Sequence, residues 1–214
     1  MSLLTNARIL TMDAEMTEIE RGWIALDQDR IVALGAGDPP DGAGFGPAQD
    51  MGGDLVMPGM VNPHAHLPMT LFRGLGEDVD DRLFRYILPL ERALVTVVEI
   101  GTRLAAVETI RGGVTTVADM YYFEDRIGAV LDAAGLRGVV GQTLADFAAP
   151  DHASMDEGFA RLDALAETYA GHPRITASAA PHAPYSAGLD VLTRVAEWSA
   201  AHPGLPVQMH LAET

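Results

Sequence analysis

From residue 60 onward, short apolar runs alternate with longer stretches whose apolar residues recur every three to four positions. The runs Met60–Asn62, Val114–Asp119, Leu136–Val140, Ile175–Ala180 and Val207–Leu211 read as strands. Between them, 97–111 carries Ile100, Leu104, Val107 and Ile110 at helical spacing and stops at Gly112-Gly113. Arg126–Ala134 is a second helix, closed by Gly135. Ser154 with Glu157 three residues on is a capping-box pattern, opening a helix that runs to about Ala170 before Gly171. Leu189–Ala201 is the fourth. Helical material between consecutive strands predicts parallel strands joined by right-handed crossovers, either a doubly wound sheet or an eight-stranded barrel.

The first 57 residues have a different texture. Ala7–Met12 reads as a strand, and Trp23–Leu26 and Arg30–Leu34 read as a hairpin around Asp27-Gln28-Asp29. Gly35–Gly53 is a Gly-, Pro- and Asp-rich loop, and Leu55–Met57 a short strand stopped by Pro58-Gly59. This segment is too small and strand-rich to stand alone, and it calls for a partner sheet.

Placement of the polar residues favours the barrel. His64 and His66 follow the first barrel strand, Asp119 ends the second, His182 follows the fourth and His210 sits at the end of the fifth. In a barrel these strand ends share one mouth, where chemistry is done. No strand is followed by a G-x-G-x-x-G turn, which argues against a dinucleotide crevice. The chain stops just past the fifth strand, whereas a barrel needs eight. It is therefore expected to be a fragment of a longer protein, or to depend on a chain supplying the missing strands.

Composition narrows the chemistry. Of the 214 residues, 48% are hydrophobic, a globular proportion. A formal net charge of −16 argues against nucleic acid and against anionic membrane surfaces. With no cysteine, thiolate ligands are excluded, and a metal has only His, Asp or Glu to hold it. The start lacks the pattern of a signal peptide and no run approaches 18 apolar residues, so a cytoplasmic protein is expected.

His64 and His66 stand two apart in extended backbone, so both side chains leave the same side and can reach one metal ion. H-x-H alone is a weak signal; the preceding Pro58-Gly59 turn and the strand-end position strengthen it. His210 can complete a three-histidine site, or serve as a hydrogen-bonded core histidine. Glu213 can reach a metal-bound water or sit at a helix start. His182, in a loop stiffened by Pro181 and Pro184, suits a substrate-contacting donor, while Ser186 suits a helix cap. Asp119 reads as a turn residue or a second acceptor behind the ligands. By composition Glu91, among Arg82, Arg85 and Arg92, reads as a surface carboxylate, and His152, His172 and His202 as structural. Met57, Met60, Met69 and Phe72 read as apolar packing around the first barrel strand.

Taken in order, the segments 56–74 (with Pro63-His64-Ala65-His66), 112–121, Pro181–Ser186 and His210–Thr214 resemble the amidohydrolase superfamily. Within it they are most similar to the aminohydrolase branch that deaminates methylthioadenosine, S-adenosylhomocysteine and related adenosine derivatives. The branch likeness rests on Leu67–Gly74, Pro89-Leu90-Glu91 and Pro181–Ser186. The resemblance implies an α/β fold. Residues 1–57 would be the N-terminal part of a small β-sandwich domain and 58–214 the first part of a (β/α)8 barrel, with about five of its eight strands. It implies His64, His66 and His210 as ligands of one divalent metal, zinc ahead of iron. Glu213 would handle the proton of the attacking water, His182 would contact substrate, and Glu91 would bind ribose hydroxyls. Arg137 would be a substrate-side arginine. A further His and the Asp that accepts the water's proton belong to strands beyond Thr214, so this chain alone is expected to be inactive. The implied partner is a small-molecule substrate; a homo-oligomer is also compatible. Reactions on triazine, guanine or cytosine rings stay open, as does a non-catalytic metal-binding or partner-dependent role.

Overall fold

The computed structural model describes residues 1–94 and 97–212. The chain divides into two compact units, Met1–Gly59 and Met60–Thr214, two residues beyond the boundary expected at 57/58.

The first unit is one five-stranded sheet. Strands β1 (Ser2–Leu10), β2 (Glu18–Asp27) and β3 (Arg30–Ala36) form an antiparallel meander, with β4 (Ala48–Asp50) and β5 (Leu55–Val56) parallel to β1. The first strand starts five residues earlier than predicted, because residues 2–5 take their backbone partners from 24–26 and 48–50. Strand alternation gives the sheet apolar residues on both faces: Leu3, Trp23 and Ala25 cluster with Phe45, and Ile24 clusters with Ala7 and Ile9.

The second unit is a four-stranded parallel sheet of β6 (Met60–Ala65), β7 (Val114–Tyr121), β8 (Arg137–Leu144) and β9 (Ile175–Pro181), in sequential order. β-Branched runs such as Val114-Thr115-Thr116-Val117 favour these strands. The crossovers carry α2 (Val98–Arg111), α3 (Glu124–Ala134) and α4 (Met155–Thr168), and α5 (Pro184–Ala201) follows β9. A 3-10 turn at Leu67–Phe72, a π turn at Leu83–Ile87 and the short helix α1 (Leu88–Leu94) fill the long connection after β6. Val117, Val140 and Ala177 face one side of the sheet and pack on Ile127, Leu131 and Leu165 of the helices. Leu144 and Ala179 do the same with Leu162, Val191 and Trp198. Sequential order with α2, α3, α4 and α5 packed on one face is the winding of a barrel wall, not of a doubly wound sheet.

Several local expectations change. Residues 207–211 do not form a strand. This stretch follows β9 through hydrogen bonds at Ala179 and His182 and a single parallel bridge, Ala179 to Val207. Pro206 has no N–H, and no further strand flanks the stretch among the described residues, so the ladder does not propagate. The sheet therefore has four strands where five were expected. In α2 the periodic residues Ile100, Leu104, Val107 and Ile110 are exposed. The buried face is Val98, Gly101, Thr102, Ala105 and Ala106. Small residues win there because the helix presses on the 3-10 turn: a Cβ on Gly101 would lie 2.5 Å from the Pro68 carbonyl. The Ser154 cap forms, its Oγ accepting the Glu157 N–H, while the Glu157 carboxylate accepts from Ala153. Ser186 does not cap α5. It lies in the helix's first turn, and Gly188 (φ +66°) kinks the helix just before Leu189.

A three-histidine centre at the mouth of the sheet

The sheet's register sets the site. Ala65 pairs with Asp119, and Asp119 with Val140, on the helix-covered face. Residues one position away, His64, His66 and Met120, therefore belong to the opposite face at the C-terminal ends of the strands. His210 reaches the same place because its N–H donates to the His182 carbonyl just beyond β9.

The Nε2 atoms of His64 and His66 are 3.2 Å apart, as are those of His66 and His210. One ligand atom from each of the three rings lies within 4.8 Å of the others. His66 Nδ1 lies 2.6 Å from the Met120 carbonyl, which can only accept. Nδ1 therefore carries the proton and Nε2 presents its lone pair to its neighbours. Burial holds the His66 pKa down at about 4, reinforced by the other three rings, so the imidazole is neutral as a ligand must be. Three converging imidazole nitrogens fit a borderline divalent cation.

Beside the histidines opens a cleft of about 480 Å³, lined by His66, Glu91, Tyr121, His182 and His210 with apolar Ile87, Leu88 and Phe147. Glu91, on α1, is only 8% exposed and bonds to the Tyr121 hydroxyl. Burial raises its pKa to about 7 despite that bond. His182 packs its ring 5.0 Å from that of His210, and its Nδ1 lies 2.7 Å from Ser186 Oγ. The surface carboxylate that composition suggests for Glu91 is thus a buried cleft residue. Arg137 is not brought here. It begins β8 at the N-terminal end, exposed, and parallel strands put that end opposite the mouth. The stretch with Glu213 lies outside the described residues. His152, His172 and His202 are held by Asp151, by backbone N–H groups and by Trp198, away from the cleft lining.

Sequence reasoning missed Tyr121 as the partner of Glu91; its position two residues past Asp119, at the end of β7, was the available signal. The Met120 carbonyl leaves no trace in a side-chain pattern.

Residues 55–214 match the amidohydrolase family model. A 5-methylthioadenosine/S-adenosylhomocysteine deaminase of Nitratidesulfovibrio vulgaris (strain DP4) is 39% identical over 217 residues, covering 100% of this chain and 49% of that protein. The protein of the same name from Syntrophobacter fumaroxidans is 37% identical, covering 99% and 49%. Among solved structures, an adenosine deaminase from Xanthomonas campestris with bound zinc superposes with a TM-score of 0.86 at 32% identity, covering 100% of this chain and 49% of that one. The chain spans about half the length of the curated relatives it matches. With the family model covering most of its length, and its histidines gathered at the strand ends, the chain belongs to the amidohydrolase family.

Proposed function

We propose that this chain is the N-terminal part of a metal-dependent hydrolase that deaminates an adenosine derivative of the methylthioadenosine or S-adenosylhomocysteine type. The observation that carries the reading is the convergence of three histidine nitrogens beside a cleft that also holds a buried carboxyl. The names of the most similar relatives and the zinc in the Xanthomonas structure support the substrate class and the metal. In this reading the four strands are the first half of a (β/α)8 barrel, and residues 1–59 part of a small β domain completed by later sequence.

His64, His66 and His210 would hold one divalent metal, zinc ahead of iron, which when bound lowers the pKa of a coordinated water toward neutrality. The Met120 carbonyl keeps the His66 ring in the tautomer that ligation needs. His182, braced by Ser186, contacts the ring substituent that changes in the reaction. Glu91, with Tyr121 beside it, accepts from sugar hydroxyls. Glu213 moves the proton between water and the purine ring nitrogen. The acceptor of the water's second proton comes from sequence beyond Thr214, so the 214-residue chain alone does not turn over.

Ammonia release by the full-length protein tests this. Release from methylthioadenosine or S-adenosylhomocysteine is expected, with Glu213→Gln abolishing turnover while sparing metal binding. Glu91→Ala should lose more on nucleosides than on free bases. No ammonia from any adenosine derivative, alongside turnover of a triazine or guanine, would replace this reading with another amidohydrolase reaction.

A further inference from the structure

Two buried carboxyl groups behind the histidines have no part in the chemistry above. Asp119, at the end of β7, and Glu124, the first residue of α3, are both 0% exposed. Asp119 Oδ1 accepts the Leu67 N–H at 2.6 Å, one residue past His66. Glu124 Oε1 accepts the Tyr121 N–H at 2.6 Å, one residue past Met120. Met120 is the residue whose carbonyl holds His66 Nδ1. The two carboxyls thus grip the backbone on both sides of the His66–Met120 contact.

They also face each other. Asp119 Oδ2 and Glu124 Oε2 are buried, and neither has a hydrogen-bond donor among the described residues. The two side chains interact directly, and each satisfies the other if one proton lies between them. Burial pushes both carboxyls up, and Glu124 is raised further by the charge of Asp119, so the pair shares a proton. The backbone is bent to allow this. Phe123 stands at φ +59°, a left-handed conformation that is costly for a side-chain-bearing residue. Its N–H is anchored on Asp151 Oδ2 at 2.9 Å. That turn is what folds Glu124 back beneath the end of β7.

We propose that Asp119 and Glu124, hydrogen-bonded to each other, act as one positioning clamp that sets the orientation of His66 and so the affinity and geometry of the metal centre. The inference rests on the three histidines holding a metal. Outer partners of a metal ligand typically contribute about 10–100-fold to affinity, and these two act one backbone step further out. Glutamine at 124 can reproduce the protonated glutamate, since its amide donates to Asp119 and its oxygen still accepts from Tyr121.

The test uses the full-length protein and zinc, with affinity read by competition against a chelator and geometry by the visible spectrum of the cobalt-substituted form. Each variant is measured well below its own melting temperature. Asp119→Ala and Glu124→Ala should weaken zinc by about tenfold or more and change the cobalt spectrum, while Glu124→Gln stays within about threefold of wild type. The double variant Asp119→Asn/Glu124→Gln keeps the volume but can set two amide NH2 groups against each other. It should be worse than either single amide, which decides the matter even if the alanine variants do not fold. Lowered melting temperatures with unchanged zinc affinity and cobalt spectrum in all variants would make the pair merely structural and overturn the clamp. His66→Ala, run alongside, separates the two ideas. If that variant keeps its zinc, the metal centre itself is misassigned; if it loses zinc while the carboxyl variants keep theirs, only the clamp fails.

Discussion

The two ends of the parallel sheet are built from the same four strands and behave oppositely. At the C-terminal ends His64, His66, His210 and His182 crowd together, backed by Asp119 and Glu124 and opening on the Glu91 cleft. At the N-terminal ends the charges are dispersed toward solvent. Arg137 is exposed, and Arg174 pairs with Asp132 in a half-exposed ion pair. Partly solvated pairs of that kind contribute little, whereas a desolvated carboxyl or imidazole changes its proton affinity. Strand direction sorts the titratable groups of the strand ends, and α1 and the stretch after β9 bring Glu91 and His210 to the same end.

Four substitutions in the full-length protein probe that contrast. The largest effect is expected from His66→Ala at the mouth. Removing a ligand should weaken metal binding by at least about a hundredfold, more than the 10–100-fold typical of outer partners. Metal analysis after dialysis reads it.

Glu91→Gln should act through pH. The wild-type carboxyl has its pKa raised to about 7 from 4.5. The folded state therefore holds a proton that the unfolded state has lost, and stability falls as pH rises across that interval. The amide removes this penalty. At pH 8 the variant should be more stable than wild type by up to about 3 kcal/mol, at 1.36 kcal/mol per pH unit, and at pH 4 the two should melt together. A stability difference that does not change with pH would contradict the buried carboxyl.

Gly101→Ala tests the packing behind the mouth. Its new methyl would meet the Pro68 carbonyl at 2.5 Å, in the turn that follows His66. A loss of about 1–3 kcal/mol is expected, as for overpacked cores, read by denaturant unfolding. The smallest effect belongs to Arg137→Ala at the opposite end. Metal content and turnover should be unchanged; a clear fall in turnover would return this arginine to the substrate side.

Much of the mouth was legible because strand alternation is strict. His64 and His66 had to share a face, and the alternation of strands and helices put His182 and His210 at the same end. Glu91 was not legible from composition. Its neighbours in sequence are arginines, and its burial depends on Tyr121, thirty positions on. The substrate-side place of Arg137 came from the resemblance alone, and the strand expected over Leu136–Val140 already put it near the strand's start, where β8 begins. In α2 the spacing of Ile100, Leu104, Val107 and Ile110 correctly implied a helix. It did not say which face is covered, since close approach to the Pro68 carbonyl selects Gly101, Ala105 and Ala106 instead. The fifth strand failed for the same kind of reason: a strand is a property of its neighbours, and residues 207–211 have only β9 on one side among the described residues.

The central claim is that three histidines at one end of the sheet hold a single divalent metal. Metal content of the full-length protein, measured for wild type, His66→Ala and Arg137→Ala after identical dialysis, tests it most directly. The account predicts one equivalent of zinc or iron in wild type and in Arg137→Ala, and almost none in His66→Ala. A full equivalent retained by His66→Ala would contradict it.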